Sequence, residues 1–193
     1  MNIIVKPYGS DLCYCRPDTT WERENRDLYS PDCVNAWNWT PVLFVRISKA
    51  GKCISPKFAS RYYDSLNFGA LLYIGGTDVA SGSCADHTSI LPLPLFNPVV
   101  METEGNRFEV VKNEEVVFSL ETPVAGSLQD SASLIQAAEA AICKASQLTS
   151  LRIGDYVAVE LTPASVLAEK TEGSLTFKAT FCENEIFGFK IIF

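Results

Sequence analysis

Short apolar, β-branched runs separated by polar turn residues fill most of the chain, and one stretch breaks that rhythm with helical spacing. Residues 2–5 (NIIV) predict an opening strand, and residues 7–31, rich in Asp, Arg, Asn and Pro, predict an irregular polar connection. VLFVRI at 42–47 predicts a strand. Gly51 in the following KAGK offers a tight turn into a second short strand at Cys53 and Ile54, so a hairpin is expected there. Pro56 suits the first turn of a short helix, where its missing N–H costs nothing, with Phe58, Tyr62 and Leu66 following on one face. FGALLYIGG at 68–76 predicts a buried strand closed by Gly75 and Gly76, and the small polar residues and prolines of 77–97 predict a long connection.

Residues 99–102, 107–111 and 115–120 alternate or are β-branched, and the turn compositions between them predict a β-meander. Residues 130–148 carry the helical spacing. Leu134, Ala138, Ala141, Ile142 and Ala145 form its stripe, Asp130 or Ser131 is a candidate N-cap, and so much alanine implies close packing on a sheet. YVAVEL, SLTFKATF and IFGFKIIF then return to strand patterning, broken by Gly173 and Glu183-Asn184-Glu185. The pattern predicts an α+β fold, predominantly β, with one main helix, in a single domain over residues 1–193. In the last run Phe187 and Phe189 share one face, with Ile186 and Lys190 on the other. That apolar terminus is expected to bury its aromatic face, either as a central strand of the monomer or against a second subunit, and a homodimer is expected.

Composition narrows the function classes. With 47% hydrophobic and 20% charged residues the chain can bury a core, and it has no stretch long enough to span a bilayer. The 23 acidic against 16 basic residues leave a net charge of −7, which argues against nucleic acid, whose phosphates select clustered Lys and Arg. The N-terminal apolar run meets Lys6 and Pro7 at once and reads as a first strand rather than a signal peptide, so a cytoplasmic protein without a membrane partner is expected. Seven scattered cysteines, an odd number, fit a reducing compartment, and one Cys-x-Cys with a single histidine, His87, is too little for a structural zinc site.

Candidate chemistry is sparse. Cys84-Ala85-Asp86-His87 gathers a thiol, a carboxylate and an imidazole in one loop, but a nucleophile pair draws its members from distant segments, and a turn explains these residues as well. Glu183 with Glu185, Glu114 with Glu115, and Glu102 with Glu104 sit at turns, where solvation accounts for them. Trp21, Trp37 and Trp39, with Tyr29, could line a pocket or belong to the core. Phosphate-binding, Gly-x-Ser-x-Gly and His-Glu-x-x-His motifs are missing.

One long stretch carries a family likeness. Val45-Arg46-Ile47, Gly51-Lys52, Ala59, Tyr62-Tyr63-Asp64 and Gly69, with Arg16-Pro17-Asp18-Thr19 and Pro31-Asp32 upstream and SQLTSLRIGDYVAVELTP downstream, resemble the fumarylacetoacetate hydrolase family. The resemblance implies a mixed β-sheet roll, a dimer, and a Mg²⁺ or Mn²⁺ site built from a Glu-x-Glu and an Asp. At the matching positions stand Thr40, Val42 and Leu71, which cannot supply the oxygen ligands a divalent ion needs, so no metal or other cofactor is expected. The family's segment bearing a catalytic His and Glu is missing between Val5 and Arg16, no lysine occupies the region of its Lys-Ala-Phe-Asp motif, and Glu160 and Leu161 replace glycine in its substrate loop. Arg16, Asp18, Thr162 and Pro163 remain as a candidate residual pocket. The implied function is a catalytically silent relative with a binding, regulatory or assembly role, whose partner is a small 2-oxo acid or an active paralogue. The alternative is a 2-oxo acid hydrolase or 2-hydroxyhepta-2,4-diene-1,7-dioate isomerase with a rearranged metal site, using carboxylates such as Asp64, Asp78 or Asp86.

Overall fold

In the computed structural model, which describes residues 1–122 and 131–193, the apolar runs pair into two sheets. The chain enters through β1 (Ile3–Lys6) and β2 (Tyr14–Arg16), then lays down two minimal strands, β3 (Trp21–Glu22) and β4 (Leu28–Tyr29). The long strands β5 (Ala36–Ile47) and β6 (Tyr63–Ile74) follow, separated by a 3₁₀ turn at Pro56–Arg61. Beyond a one-turn helix α1 (Val79–Gly82) come β7 (Ser89–Ile90), a 3₁₀ turn at Pro98–Glu102, and the hairpin β8 (Asn106–Lys112) and β9 (Glu115–Thr122). The long helix α2 (Ser131–Leu148) leads into β10 (Tyr156–Glu160), β11 (Ser165–Glu169), β12 (Ser174–Phe181) and β13 (Asn184–Ile192).

The larger, eight-stranded sheet has the order β2-β1-β10-β5-β6-β7-β3, with β11 pairing the far half of β5; the smaller has the order β4-β13-β12-β8-β9. Both are mixed, because β1 runs parallel to β10 and β4 parallel to β13 while their neighbours are antiparallel. The result is a curled, predominantly β fold with one long helix. Its spine is the β5–β6 pair, in register from Trp37 opposite Ile74 to Arg46 opposite Ser65, with a bulge before Ile47 opposite Tyr63. Gly69 is required in that spine: a Cβ there would lie 2.3 Å from the Ile90 carbonyl oxygen, so only glycine lets β7 close against β6.

The main core lies between the sheets and under α2. Leu134, Ala138, Ala141, Ile142 and Ala145 are all buried, as their spacing predicts, and the small alanines bring the helix against β1, β5 and β10. Phe68 stacks on Phe108 at 4.6 Å and meets Phe181 edge-on at 4.9 Å, tying the two sheets together. Trp37 and Trp39 belong to this core.

Several local expectations are corrected. No hairpin joins 42–47 to Cys53 and Ile54. Cys53 N–H instead donates to the Ser146 carbonyl at 2.8 Å and Ile54 N–H to Ser146 Oγ at 2.9 Å, so the end of α2 takes these amides and β5 pairs with β6. The helix opened by Pro56 is a 3₁₀ turn that ends at Arg61, which leaves Leu66 inside β6. Residues 99–102 are likewise helical, so only β8 and β9 remain of the meander. Asp130 lies outside the described residues.

At the C-terminus β13 is internal, flanked by β12 and β4, and Phe187, Phe189 and Ile191 are buried. A bulge opposite Ala179 and Thr180 leaves Ile186 unpaired, and Ile186 joins the same core, although strict alternation assigns it to the opposite face. The apolar terminus is thus covered within one subunit.

Candidate functional site

Alternation along the strands gives the larger sheet a second face, turned away from the main core. Thr40, Val42, Phe44 and Arg46 project there from β5, Leu71 and Tyr73 from β6, Tyr156, Ala158 and Glu160 from β10, and Ile3 and Val5 from β1. Thr40 lies directly opposite Leu71, while Val42 lies between Glu160 and Gly69. These pairings make Thr40, Val42 and Leu71 neighbours on one patch, and each is 0% exposed. Val42 and Leu71 enter a small core of their own with Phe44, Tyr73 and Tyr156, against which Tyr14, Trp21 and Leu95 pack.

The donor set of that patch is poor. The Thr40 hydroxyl donates to the Thr162 carbonyl at 2.7 Å, and its two neighbours are aliphatic. A divalent cation placed there would lose its hydration shell without gaining carboxylate oxygens, so these residues do not fit the metal that the fold implies. Among the described residues, no group of three or more His, Cys, Asp or Glu side chains is placed to hold a metal ion. Asp64 accepts from Ser65, and Asp78 caps α1 through Ser81.

Beside the patch lies a hydrogen-bonded chain that sequence reasoning did not foresee. The Tyr14 and Tyr73 hydroxyls are 2.7 Å apart, Tyr73 donates to Glu160, and the other Glu160 oxygen accepts the Tyr8 N–H at 2.9 Å. Burial pushes the Tyr14 phenol up to about 12, and burial together with Tyr14 and Glu160 raises Tyr73 further still. Glu160, at the end of β10, is therefore anchored to Tyr73 and to the Tyr8 amide. The parity of Leu71 and Tyr73 on β6 was the one available signal.

The four residues of the candidate residual pocket do not form one pocket. Arg16 is 2% exposed, and its guanidinium donates to the carbonyls of Ser83 and Leu72 and to Thr88 Oγ1 at 2.7–2.9 Å, with the Tyr73 ring 5.0 Å away. Burial lowers its pKa, and its second terminal nitrogen, Nη1, has no partner among the described residues. Asp18 is exposed and lines a separate depression of about 250 Å³ with His87. Thr162 touches the patch through its backbone carbonyl, and Pro163 is exposed. In the Cys84 loop, His87 Nδ1 lies 2.8 Å from buried Glu22, while Cys84 donates to the Ala80 carbonyl, so thiol and imidazole face different partners.

A curled mixed sheet carrying a smaller sheet and one long helix is the fold of fumarylacetoacetate hydrolase family proteins. Fumarylpyruvate hydrolase from Pseudomonas aeruginosa, solved with Mn²⁺ and pyruvate, superposes with a TM-score of 0.74 at 12% identity, over 100% of this chain and 88% of that one. Maleylpyruvate hydrolase from Sphingobium sp. SYK-6 gives 0.74 at 12% identity, over 99% and 70% of the two chains. The 5-carboxymethyl-2-hydroxymuconate delta-isomerase from Mycobacterium smegmatis gives 0.70 at 13% identity, over 99% and 77%. No family model and no curated protein matches the sequence. Among the described residues no helix is long and apolar enough to cross a membrane.

Proposed function

We propose that this chain is a catalytically silent member of the fumarylacetoacetate hydrolase family, kept for a binding, regulatory or assembly role. The observation that carries this reading is the burial of Thr40, Val42 and Leu71 in a packed, largely apolar patch; the sequence resemblance assigns the family's metal ligands to these three positions. Carboxylates buried without a cation are costly, and replacing them by aliphatic side chains removes that cost while keeping the scaffold. Glu160 and Leu161 in the loop act in the same direction, since side chains there occupy space that glycine leaves to a ligand. A cytoplasmic homodimer is part of the proposal; its seven unpaired cysteines favour a reducing setting. The partner would be a small 2-oxo acid or an active paralogue.

The experiment is metal analysis of the purified protein together with an acylpyruvate hydrolysis assay in added Mn²⁺. The expected result is no stoichiometric metal and no turnover. Stoichiometric Mg²⁺ or Mn²⁺, or metal-dependent hydrolysis, would overturn the reading in favour of an enzyme with rearranged ligands.

A further inference from the structure

At the opposite end of the second face lies a cavity of about 490 Å³. Arg46 is four residues beyond Val42 on β5, which puts it about 13 Å from the buried patch at the usual strand rise. Arg46 and Arg152 are both exposed at this cavity, and among the described residues neither guanidinium has an ion-pair or hydrogen-bond partner. One carboxylate lines the cavity, Asp155, and it is already engaged. Its oxygens accept from the backbone N–H of Asn2 and of Arg152 at 2.7 and 2.8 Å and from Asn2 Nδ2 at 3.2 Å, and the residue is 1% exposed. Those donors are neutral and do not offset the charge of Asp155, so the cavity wall sets two arginines against one carboxylate and is net positive in a chain whose net charge is −7.

The rest of the wall is aromatic and apolar. Trp21 and Tyr156 meet edge-to-face at 5.3 Å, and Arg23 covers the Trp21 ring at 4.9 Å. Tyr156 is 3% exposed, and its hydroxyl, which has no hydrogen-bond partner among the described residues, reaches accessible surface. Burial raises the Tyr156 phenol while Arg46 and Arg23 pull it down, so both cations act at that ring. Leu93 and Ile153 add exposed apolar surface at 49% and 69%. Cations without partners, a spare phenol and an apolar wall are what an anionic head on an apolar body would satisfy together.

We propose that this cavity binds a small aromatic carboxylate, its carboxylate held by Arg46 and Arg152 with Tyr156 as a third donor, and its ring against Trp21, Leu93 and Ile153. This site is separate from the Thr40 patch, and the proposal stands whether or not that patch is silent.

The test is a ¹H–¹⁵N NMR titration of the full chain with benzoate and phenylacetate, using neutral benzamide and hexaglutamate as competing probes. The expected result is saturable shifts of the Asn2, Arg46 and Gly154 amides and the Trp21 indole with both aromatic carboxylates, in the millimolar range of fragment-sized anions, and none with benzamide. Arg46→Gln and Arg152→Gln, both at exposed positions, should each weaken binding about tenfold, whereas Arg61→Gln leaves it unchanged. Tyr156→Phe should weaken it by a smaller factor and keep the apolar contacts. Equal shifts with benzamide, tighter binding of hexaglutamate, indifference to both arginine substitutions, or no shift with either carboxylate would each overturn the proposal.

Discussion

The two ends of the second face share strands β5 and β10, yet Thr40, Val42 and Leu71 are shut away at one end while the other opens on a cavity. At the Thr40 end, β5, β6 and β10 contribute Thr40, Val42, Leu71, Tyr73 and Glu160, and every side-chain group there is either aliphatic or hydrogen-bonded within the protein. At the Arg46 end, β5 and β10 contribute Arg46 and Tyr156, directly opposite each other, and their polar groups point to no partner among the described residues. Phe44 lies between them, edge-on to Tyr156 at 5.4 Å, and seals one end from the other. The difference teaches that packing, as well as the identity of the side chains, decides which end of the face can admit a ligand. Side chains close over Thr40, Val42 and Leu71, leaving a pocket of about 150 Å³ beside Tyr73 and Glu160, while the cavity of about 490 Å³ at the other end is lined by charges that cannot be buried cheaply.

The sharpest way to break this comparison is to place charge at the shut end. Thr40→Glu, Val42→Glu and Leu71→Asp together should severely destabilise the protein in chelator, with Leu71→Asp alone costing about 4 kcal/mol, because each places a carboxylate where no water or cation meets it. Thermal melts with and without Mn²⁺ measure this, and an unchanged melting temperature in chelator would show that the patch is open to water. Next in size, Phe44→Ala should cost roughly 3–5 kcal/mol by leaving a cavity between the two ends, measurable by urea unfolding.

Tyr73→Phe removes the hydroxyl shared by Tyr14 and Glu160 and should cost about 1–2 kcal/mol. It also has a pH signature. Tyr14 and Tyr73 ionise near 10 when unfolded, and Tyr14 is held near 12 in the fold, with Tyr73 raised too. Their contribution is complete below pH 10 and falls away as pH rises toward 12, since only the unfolded chain releases protons there. The variant should lose stability less steeply than the parent over that range; an equal alkaline slope in both proteins would remove Tyr73 from the account. At the open end the smallest effect is expected. Arg46→Ala should change stability by less than about 0.5 kcal/mol, and a larger loss would mean the arginine is structural.

Assembly bears on the same contrast, because β13 buries the C-terminal aromatic face within the monomer and leaves no uncovered terminus to demand a partner. Sedimentation at micromolar concentration is expected to give a dimer; a single 21.2 kDa species would remove the homodimer from the proposal.

The long periodic segments were legible in the chain. β10, β12, β13 and α2 fall close to where the apolar spacing places them, as do residues 42–47 of β5 and 68–74 of β6, because each buries enough of one face for the pattern to show; residues 36–41 and 63–67 were not read as strand. The two-residue strands β3, β4 and β7 were not legible, since a strand that short has no period and exists only through its partner. β11 was missed for a related reason: its exposed Ser165, Val166 and Glu169 hide the buried Leu167 and Ala168. Cys53 and Ile54 looked like a hairpin arm until the end of α2, ninety-two residues away along the chain, took the Ile54 amide.

Sequence alone determined that Thr40, Val42 and Leu71 bring no carboxylate, because residue identity is local information. It also determined the main helix and the central strands. Tertiary structure decided that those three residues share one sealed patch, that Arg16 is buried among carbonyls, and that Glu160 reaches Tyr73. It alone brought Arg46 and Arg152 to one cavity. These are contacts between residues far apart in the chain, and the free energy of such contacts depends on sheet register and burial, which the order of residues along one strand does not contain.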